Sequence, residues 1–370
     1  ILLCKTGAGF LEDYAVWKAE ASKTGCTGSG NLGGGVFPTS YRPLENTDKG
    51  ELIMQYSIIV PVYNVEEYLP CLLHSLIPQI SESCQIILVD DGSTDRSGVL
   101  CDQFADSCSQ IEVIHQKNGG VAAARNAGLT VAHGEYLLWA DPDDLVAPDW
   151  FFQINQILSQ GRPDILQFDY IELEGEKRNP RCYDRNDGYI DKEVYLRDVV
   201  RDVRVNSALW CRAFHRSLFE GMHFDETLRC LEDYALLHKL ILRANSIYYL
   251  PKELYIYRLR KTGLVRTINL DISYQSYLVA LQREKELRNV PGFDNMGIII
   301  QARGFCRNYF LADKPATHTT QYKECRNVLL SNWKKYFKDS EWPMRVRLKT
   351  LLLASVCAGT VYAFLKRNAV

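Results

Sequence analysis

The sequence lacks the marks of several common protein classes. Its twelve cysteines include no CxxC pair and follow no regular spacing, which argues against a zinc ribbon and against a small disulfide scaffold. No GxGxxG follows a predicted strand, which disfavours a dinucleotide-binding dehydrogenase. The formal net charge of -2 disfavours a nucleic-acid partner held by bulk electrostatics. The cysteines are therefore best explained as reduced thiols of a cytosolic protein.

The first 53 residues differ from the rest of the chain. The opening ILLCKTGAGFLEDY lacks a basic leader followed by a sustained apolar run, so we expect no secretory signal peptide. Glycine is crowded between Gly25 and Gly35, and little periodicity is present. The stretch GSGNLGGG follows no apolar strand and contains no GK[ST], which disfavours a phosphate-binding loop. We therefore expect residues 1–53 to be an extension that carries no part of the core.

From Tyr56 onward, apolar runs of strand length alternate with helical patterns. Strands are predicted at Ser57–Val62, Gln85–Val89, Ile111–His115 and Tyr136–Ala140, with helices between them at Val65–Leu76, from Ser93 or Thr94 to about Ala105, and at Val121–Ala132. This alternation is typical of βαβ units and predicts a mostly parallel sheet. Because such crossovers are right-handed, the loops after the four strands are expected along one sheet edge.

The remaining elements are less regular. The patterns predict a helix at Trp150–Leu158, a strand at Ile165–Tyr170, a surface loop or hairpin at Glu172–Asp187, a helix at Lys192–Val203, a strand at Ala208–His215, a helix at Leu228–Ala244 and a strand with a basic loop at Leu254–Gly263. From Ile268 the chain reads as wholly helical. We thus expect an α/β domain over residues 54–262 and a helical region over 263–370.

The last apolar run, Thr350–Leu365, carries no charge and is flanked by basic residues on both sides. It is shorter than the roughly twenty residues that a spanning helix needs. The pattern favours a tail that lies on an anionic membrane face, and a buried helix of the bundle is the alternative.

Three carboxylates follow the fourth predicted strand: Asp141, Asp143 and Asp144. In open α/β sheets the ligand crevice lies outside the carboxyl ends of the strands. Hard oxygen ligands at this spacing suit Mg²⁺ or Mn²⁺, which usually bind one or two carboxylates together with substrate phosphates. An ordinary solvated turn explains the same residues equally well.

Five motifs in order carry a resemblance to a known family. They are YSIIVPVYN, ILVDDGSTD, NGGVAAARNAGL, GEYLLWADPDD and LEDYALLHKL, and they cover about Met54 to Arg258. Together they resemble the family-2 glycosyltransferases. The resemblance implies a GT-A fold, which is a Rossmann-like, mostly parallel sheet flanked by helices. It also implies transfer of a sugar from a nucleotide diphosphate donor, with inversion, to an acceptor hydroxyl.

The resemblance also assigns roles to individual residues. The positions similar to the family's donor-binding residues are Pro61, Tyr63, Asn64, Asp91, Gly120, Arg125 and Asp141. Asp143 resembles the metal ligand of the family's DxD-type pair, so Mn²⁺ or Mg²⁺ is the implied cofactor. For Asp90, capping of the following turn is the favoured interpretation. The basic residues Arg258, Arg260 and Lys261 resemble a group near the diphosphate, although Leu264 stands where relatives often have serine.

The pair Glu232–Asp233 resembles the catalytic site of the family, with Asp233 as the base that takes the acceptor proton. The alternative from the residues alone is that both carboxylates favour the positive end of their helix. Trp210 and Tyr257 are candidates for stacking on sugars, although aromatic residues in short strands more often belong to the core.

Three functions therefore compete. The first is an inverting, metal-dependent glycosyltransferase that uses a UDP-sugar donor and a glycan or lipid-linked acceptor in cell-surface polysaccharide synthesis. Its expected place is the cytoplasmic face of the cell membrane, as a peripheral protein. The others are a nucleotidyltransferase of similar topology and a non-catalytic sugar-nucleotide-binding protein at the membrane.

Overall fold

A computed structural model describes residues 56–201, 205–228, 230–260, 268–291, 293, 296–312, 315–339 and 342–355. The expected extension at 1–53 lies outside these residues. The described strands are β1 (Tyr56–Val62), β2 (Cys84–Asp90), β3 (Ile111–His115), β4 (Tyr136–Trp139), β5 (Leu145–Val146), β6 (Ile165–Glu174), β7 (Lys177–Arg181), β8 (Gly188–Ile190), β9 (Arg212–His215) and β10 (Ile247–Arg258).

Helices flank these strands and make up the C-terminal region. They are α1 (Leu69–Leu76), α2 (Ser97–Ser107), α3 (Val121–Val131), α4 (Trp150–Gly161), α5 (Lys192–Arg201), α6 (Glu232–Arg243), α7 (Leu270–Leu287), α8 (Met296–Leu311), α9 (Thr319–Lys338) and α10 (Met344–Ala354). Short 3₁₀ turns lie at Ile77–Gln79, Leu209–Cys211, Arg216–Phe219 and Ala316–His318.

The strands form one sheet with the order β3-β2-β1-β4-β9-β6-β10-β5, and β7 and β8 pair outside this path with β6 and β10. Strands β3, β2, β1 and β4 are parallel neighbours, as the βαβ alternation predicts. Beyond β4 the sheet is mixed: β9 is antiparallel to both β4 and β6, while β6 and β10 are parallel. The predicted hairpin after β6 is confirmed by the antiparallel pair of β6 and β7.

Two hydrophobic cores lie on opposite faces of the sheet. Along β1, Ile58 and Val60 belong to one core and Ile59 to the other, because successive side chains of a strand point to opposite faces. The first core is completed mainly by α1 and α4, and the second by α3, α5 and α6. A sheet covered on both faces explains why β1 and β2 are apolar without alternation.

Several predicted boundaries were wrong. The strand expected from Leu254 already begins at Ile247, and the helix expected from Val65 begins at Leu69. Two further shifts have a visible cause. The strand expected from Ala208 begins only at Arg212, because the buried Arg212 guanidinium donates to the backbone carbonyls of Asn206 and Ala208 and curls the preceding chain into a 3₁₀ turn. The helix expected from Leu228 begins at Glu232, because Leu231 has a left-handed backbone (φ 73°) that a continuing helix cannot contain.

The C-terminal helices enclose a third core, which includes Phe305 of α8 and Tyr322 of α9 and reaches Tyr234 of α6. None of the helices in the described residues is both long enough and apolar enough to cross a bilayer. Within the predicted tail, Thr350, Leu353 and Ala354 are buried against this bundle. Residues 356–365 of that tail lie outside the described residues.

Candidate active site

The carboxyl ends of β1, β2, β3 and β4 lie side by side because these strands are parallel neighbours. The loops that follow them contain Asn64, Asp91, Gly120 and the acidic turn Asp141–Asp144. The prediction that four loops share one sheet edge is therefore confirmed. This edge is where a ligand is expected in an open α/β sheet.

Asp91 holds the loop after β3, which contains Gly119 and Gly120, through hydrogen bonds. Its carboxylate accepts hydrogen bonds from the backbone N–H groups of Gly119 and Gly120, each at 2.8 Å, and from the side-chain amide of Gln116 at 2.7 Å. Gly120 has φ +90°, a conformation that side-chain-bearing residues rarely adopt, and it leads directly into α3. Asp91 is 3% exposed and thus positions the loop; a ligand would meet it only through the lone pairs that these three bonds leave.

Asn64 joins the loop after β1 to the loop after β2. The side-chain oxygen of Asn64 accepts a hydrogen bond from the Thr94 backbone N–H at 2.8 Å, and the backbone N–H of Asn64 donates to Ser93 Oγ at 3.1 Å. Its positive φ of 49° is one that asparagine tolerates better than most residues. The neighbouring Tyr63 is 48% exposed, whereas Pro61 is buried within β1. Of this group, Tyr63 and Asn64 are therefore the side chains that a ligand can reach.

The turn interpretation of Asp90 agrees with its contacts. One carboxylate oxygen accepts from the Ser93 backbone N–H at 3.1 Å, and the other lies 2.9 Å from His115 Nδ1. Asp90 is therefore held inside the fold, as a residue that shapes the turn after β2.

Asp144 is the structural member of the acidic turn. Tyr255 Oη donates to its Oδ2 at 3.0 Å, the Arg258 N–H donates to its Oδ1 at 2.8 Å, and the side chain is fully buried. Burial raises the pKa of Asp144 well above its ordinary value. The same tyrosine hydroxyl accepts from the Asp141 N–H at 3.0 Å. Tyr255 thus holds both ends of the turn, while Asp141 and Asp143 stay part-exposed. Sequence reasoning missed it because β10 carries no local motif.

Arg125 connects the acidic turn to the first turn of α6. Its guanidinium is buried, forms an ion pair with Glu232, and lies 3.3 Å from Asp141 Oδ1. The rings of Trp139 and Phe224 flank it at 6.0 and 5.8 Å. Although burial alone would lower it, the pKa of Arg125 is held above its ordinary value by these carboxylates. Three residues predicted separately therefore form one cluster.

Asp141 in this cluster and Asp233, which follows Glu232, both have a raised pKa. Burial raises the pKa of Asp233 to about 7, and the charge of Glu232 adds to the rise while Arg125 opposes it. Burial also raises the pKa of Asp141 to about 6, again against the effect of Arg125. Glu232 is buried in its ion pair with Arg125. Asp233 is half-buried, and its carboxylate accepts a hydrogen bond from the backbone N–H of Tyr234 at 2.6 Å. Of the pair, Asp233 has the acidity that suits a base near neutral pH.

Asp143 lies in a separate ion pair with Arg260, whose Nε is 2.7 Å from Asp143 Oδ2. The guanidinium groups of Arg260 and Arg258 each lie 5.3 Å from the ring of Tyr68. Two of the three basic residues singled out in the sequence therefore lie at the acidic turn, and Tyr68 is an aromatic support that sequence reasoning missed. Lys261 and Leu264 lie outside the described residues.

Trp210 belongs to the core beneath this site. It is buried and stacks on Tyr255 and Tyr257, with ring centroids 4.5 and 5.4 Å apart and nearly parallel planes. The core interpretation of Trp210 thus agrees with its burial. The stack supports Tyr255, which in turn holds the acidic turn.

A groove of about 290 Å³ opens between α6 and α7 on the other side of Glu232. Its walls combine apolar side chains, such as Leu278 and Val279, with the polar side chains of Lys239, Gln275 and Gln282. At one wall His238 is buried and bonded to Glu286 at 2.6 Å, and burial lowers the pKa of His238 to about 4. The imidazole is therefore neutral near physiological pH.

Comparison with known proteins agrees with this geometry. A family model described as glycosyl transferase family 2 matches residues 57–222. Glycosyltransferase GlyG of Streptococcus pneumoniae is 31% identical over 280 residues, an alignment that covers 72% of this chain and 92% of that protein.

Solved structures share the fold at low sequence identity. TarS 1–349 of S. aureus in complex with UDP is 18% identical with a TM-score of 0.61, over 86% of this chain and 92% of that chain. The mannosyltransferase PcManGT of Pyrobaculum calidifontis, in complex with GDP-Man and Mn²⁺, is 17% identical with a TM-score of 0.51, over 98% and 97% of the two chains. The chain therefore belongs to glycosyltransferase family 2 and is a glycosyltransferase with a GT-A fold.

Proposed function

We propose that the protein transfers a sugar from a UDP-sugar to a hydroxyl of a glycan or lipid-linked acceptor, with inversion at the anomeric carbon. The observation that carries this proposal is the Arg125 cluster. Through Arg125, the acidic turn at the sheet edge is joined to the helix turn that contains Asp233. A donor site and a candidate base with a pKa of about 7 are thereby brought together.

The donor nucleotide would lie on the loops after β1, β2 and β3. Tyr63 offers an exposed ring for stacking on the base, and Asn64 and Asp91 offer oxygen acceptors for base or ribose donors. The TarS complex with UDP supports uridine as the base, because its TM-score of 0.61 exceeds the 0.51 of the complex with GDP-Man. Asp141 lies further along the same edge, toward the ribose and diphosphate.

The residues of the acidic turn fit a divalent cation. Asp141 and Asp143 are part-exposed at the end of β4, whereas Asp144 is turned into the interior. Among the described residues no group of three or more His, Cys, Asp or Glu side chains is arranged to bind a metal by protein ligands alone. Two carboxylates with the donor phosphates are the usual ligands of Mg²⁺ or Mn²⁺. The bound ion would neutralise charge on the departing diphosphate.

The protein groups then have distinct tasks in the reaction. The Asp233 carboxylate takes the proton of the acceptor hydroxyl while that oxygen attacks the anomeric carbon. The bond from this carbon to the diphosphate oxygen breaks on the opposite face, so the configuration inverts and UDP leaves. Glu232 and Arg125 hold the helix turn and the acidic turn in position. Arg258 and Arg260 lie where they can meet the released phosphate charge.

We further propose that the enzyme acts in cell-surface polysaccharide synthesis at the cytoplasmic face of the membrane. The support is the resemblance of its motifs to bacterial members that build on lipid carriers. Membership of a glycosyltransferase family favours this function over a nucleotidyltransferase or a non-catalytic binding protein.

The test is a thermal-shift panel of UDP, GDP, TDP and CMP with and without Mn²⁺, followed by product analysis with the UDP-sugar that is turned over. A nucleotide at 100 times its Kd adds about 2.7 kcal/mol of stability, which such an assay detects. We expect a shift with UDP that Mn²⁺ increases, and NMR of the product should show the anomer opposite to that of the donor. A larger shift with GDP would overturn the donor assignment, and a retained anomer would overturn the inverting mechanism.

A further inference from the structure

An apolar stripe runs along the outer face of α10. Met344, Leu348 and Leu352 follow one another at four-residue intervals and are 50%, 49% and 45% exposed. This spacing places them on one side of the helix. The opposite side, with Leu353 and Ala354, is buried in the bundle. Apolar residues therefore occupy both the packed face of this helix and part of its outer face.

The stripe continues onto α9. Leu330 and Trp333 are 42% and 43% exposed, and they share one helical face with Arg326 and Phe337 because these residues follow at intervals of three and four. Arg326 and Phe337 both contact α10: Arg326 Nε donates to the Ala354 carbonyl at 2.5 Å, and the Phe337 carbonyl accepts from Arg347 at 2.6 Å.

Leu330 and Trp333 therefore share the face of α9 from which the Arg326 side chain reaches α10. The five exposed residues together define the α9–α10 face: Leu330, Trp333, Met344, Leu348 and Leu352. Solvent-exposed apolar residues gathered in this way mark an interaction surface.

The exposed charges on α10 and on the C-terminal half of α9 are basic. Arg345 and Lys349 are exposed on α10, each next to a residue of the stripe, and Lys334, Lys335 and Lys338 are exposed on α9. The nearby carboxylates Glu324 and Asp339 are bonded to Tyr274 and Tyr277 and to Arg201, and Glu341 follows Asp339 in the sequence between the two helices. A single exposed tryptophan in an apolar patch with a basic border is typical of an interfacial membrane site.

We propose that the α9–α10 face seats the protein on an anionic lipid bilayer, with the apolar stripe at the level of the headgroups and the basic border on lipid phosphates. A protein partner would require acidic residues on its own side, whereas an anionic leaflet supplies that charge over the whole surface. This proposal rests on the proposed membrane location but not on the transfer chemistry, because the face lies on the C-terminal helices and includes none of the residues assigned to the active site.

The test is co-sedimentation of the full chain with phosphatidylcholine vesicles that contain or lack phosphatidylglycerol. We expect binding that requires phosphatidylglycerol and weakens with salt. Leu348→Gln combined with Leu352→Gln should lower the partition coefficient by about three- to tenfold for each leucine, since only the exposed half of each side chain is left to enter the bilayer. Arg345→Gln combined with Lys349→Gln should lower it by about fivefold for each charge and reduce the salt dependence.

Leu278→Gln is the matched control, since this leucine is 44% exposed on α7 and should leave vesicle binding unchanged. All variants should keep the wild-type melting temperature and the activity on a soluble acceptor, so loss of vesicle binding is separable from loss of function.

Two results would overturn the proposal. The first is wild-type vesicle binding by the Leu348/Leu352 variant, which would place the lipid contact elsewhere in the chain. The second is a wild-type dimer in light scattering that this variant converts to monomers, with no lipid binding by either form. That outcome would make a second copy of the chain the occupant of the face.

Discussion

Arg260 Nε lies 2.7 Å from Asp143 Oδ2, so the carboxylate proposed to bind the metal is already paired with a cation. The same guanidinium rests 5.3 Å from the Tyr68 ring, together with that of Arg258. A divalent ion with a donor diphosphate would exchange these partners: Asp143 would bind the metal, and Arg260 would be released toward the phosphates. This exchange gives Asp143 a specific role in donor binding.

Replacing Asp143 should therefore separate metal dependence from folding. In Asp143→Asn we expect the Mn²⁺-dependent part of the UDP thermal shift to disappear and turnover to fall by about 10²-fold or more, because the Lewis-acid contribution is several kcal/mol. Asp106→Asn, which removes an exposed carboxylate on α2, is the control and should behave as wild type. Full Mn²⁺ dependence in Asp143→Asn would exclude this residue as a ligand.

Replacing Asp233 should leave the donor site intact. Asp233→Asn keeps the shape of the side chain but removes the base, so we expect kcat to fall by about 10²- to 10⁴-fold while the UDP thermal shift stays at the wild-type value. Steady-state kinetics with a soluble acceptor measure the first quantity. If turnover survives at the wild-type rate, another group takes the acceptor proton.

The pH dependence should report the same residue. A base acts in its deprotonated form, and burial raises the pKa of Asp233 to about 7, so the active form is lost as the pH falls through 7. We expect kcat/KM to fall by about tenfold per pH unit on the acidic side, since this parameter reports groups of the free enzyme. The residual activity of Asp233→Asn should lack this limb; a profile that keeps it would assign the pKa to another group.

The Arg125 cluster should be important for stability as well as for the site. Arg125→Met leaves Glu232 and Asp141 without their buried partner, and removing one side of a buried pair typically costs about 3–5 kcal/mol. Adding Glu232→Gln should restore part of the loss, which urea denaturation of the single and double variants measures. Arg162→Met breaks the exposed pair with Glu135 and should cost at most about 1 kcal/mol. Equal losses for the two arginine variants would contradict the buried pair.

Tyr255 should couple the core to the acidic turn. Tyr255→Phe removes a hydroxyl that bonds both the Asp141 N–H and Asp144, and each buried group left unpaired costs about 1–3 kcal/mol. We expect lower thermal stability and weaker donor binding in this variant. Tyr257→Phe, in the same ring stack, retains both contacts to the turn and is the matched control. Identical behaviour of the two variants would remove Tyr255 from the support of the site.

Much of the fold could be read from the sequence because its information is local. A strand buried on both faces must be apolar throughout, and a helix on a sheet must repeat its apolar residues every three or four positions, so β1 to β4 and the helices between them were predictable to within a few residues. Parallel pairing then placed Asn64, Asp91 and Asp141 on one edge. The motifs led to the correct family, and through it to the predicted roles of Asp143 and the Glu232–Asp233 pair.

Only the tertiary structure decided which of these residues touch. Arg125 meets Glu232 across 107 positions of sequence, and Tyr255 meets Asp144 across 111. No local pattern encodes such contacts, because they arise when separate elements pack and a buried charge or hydroxyl must find a partner. The sequence by itself determined the elements and the chemistry at their ends, and packing determined which carboxylates pair with an arginine and which are buried as part of the structure.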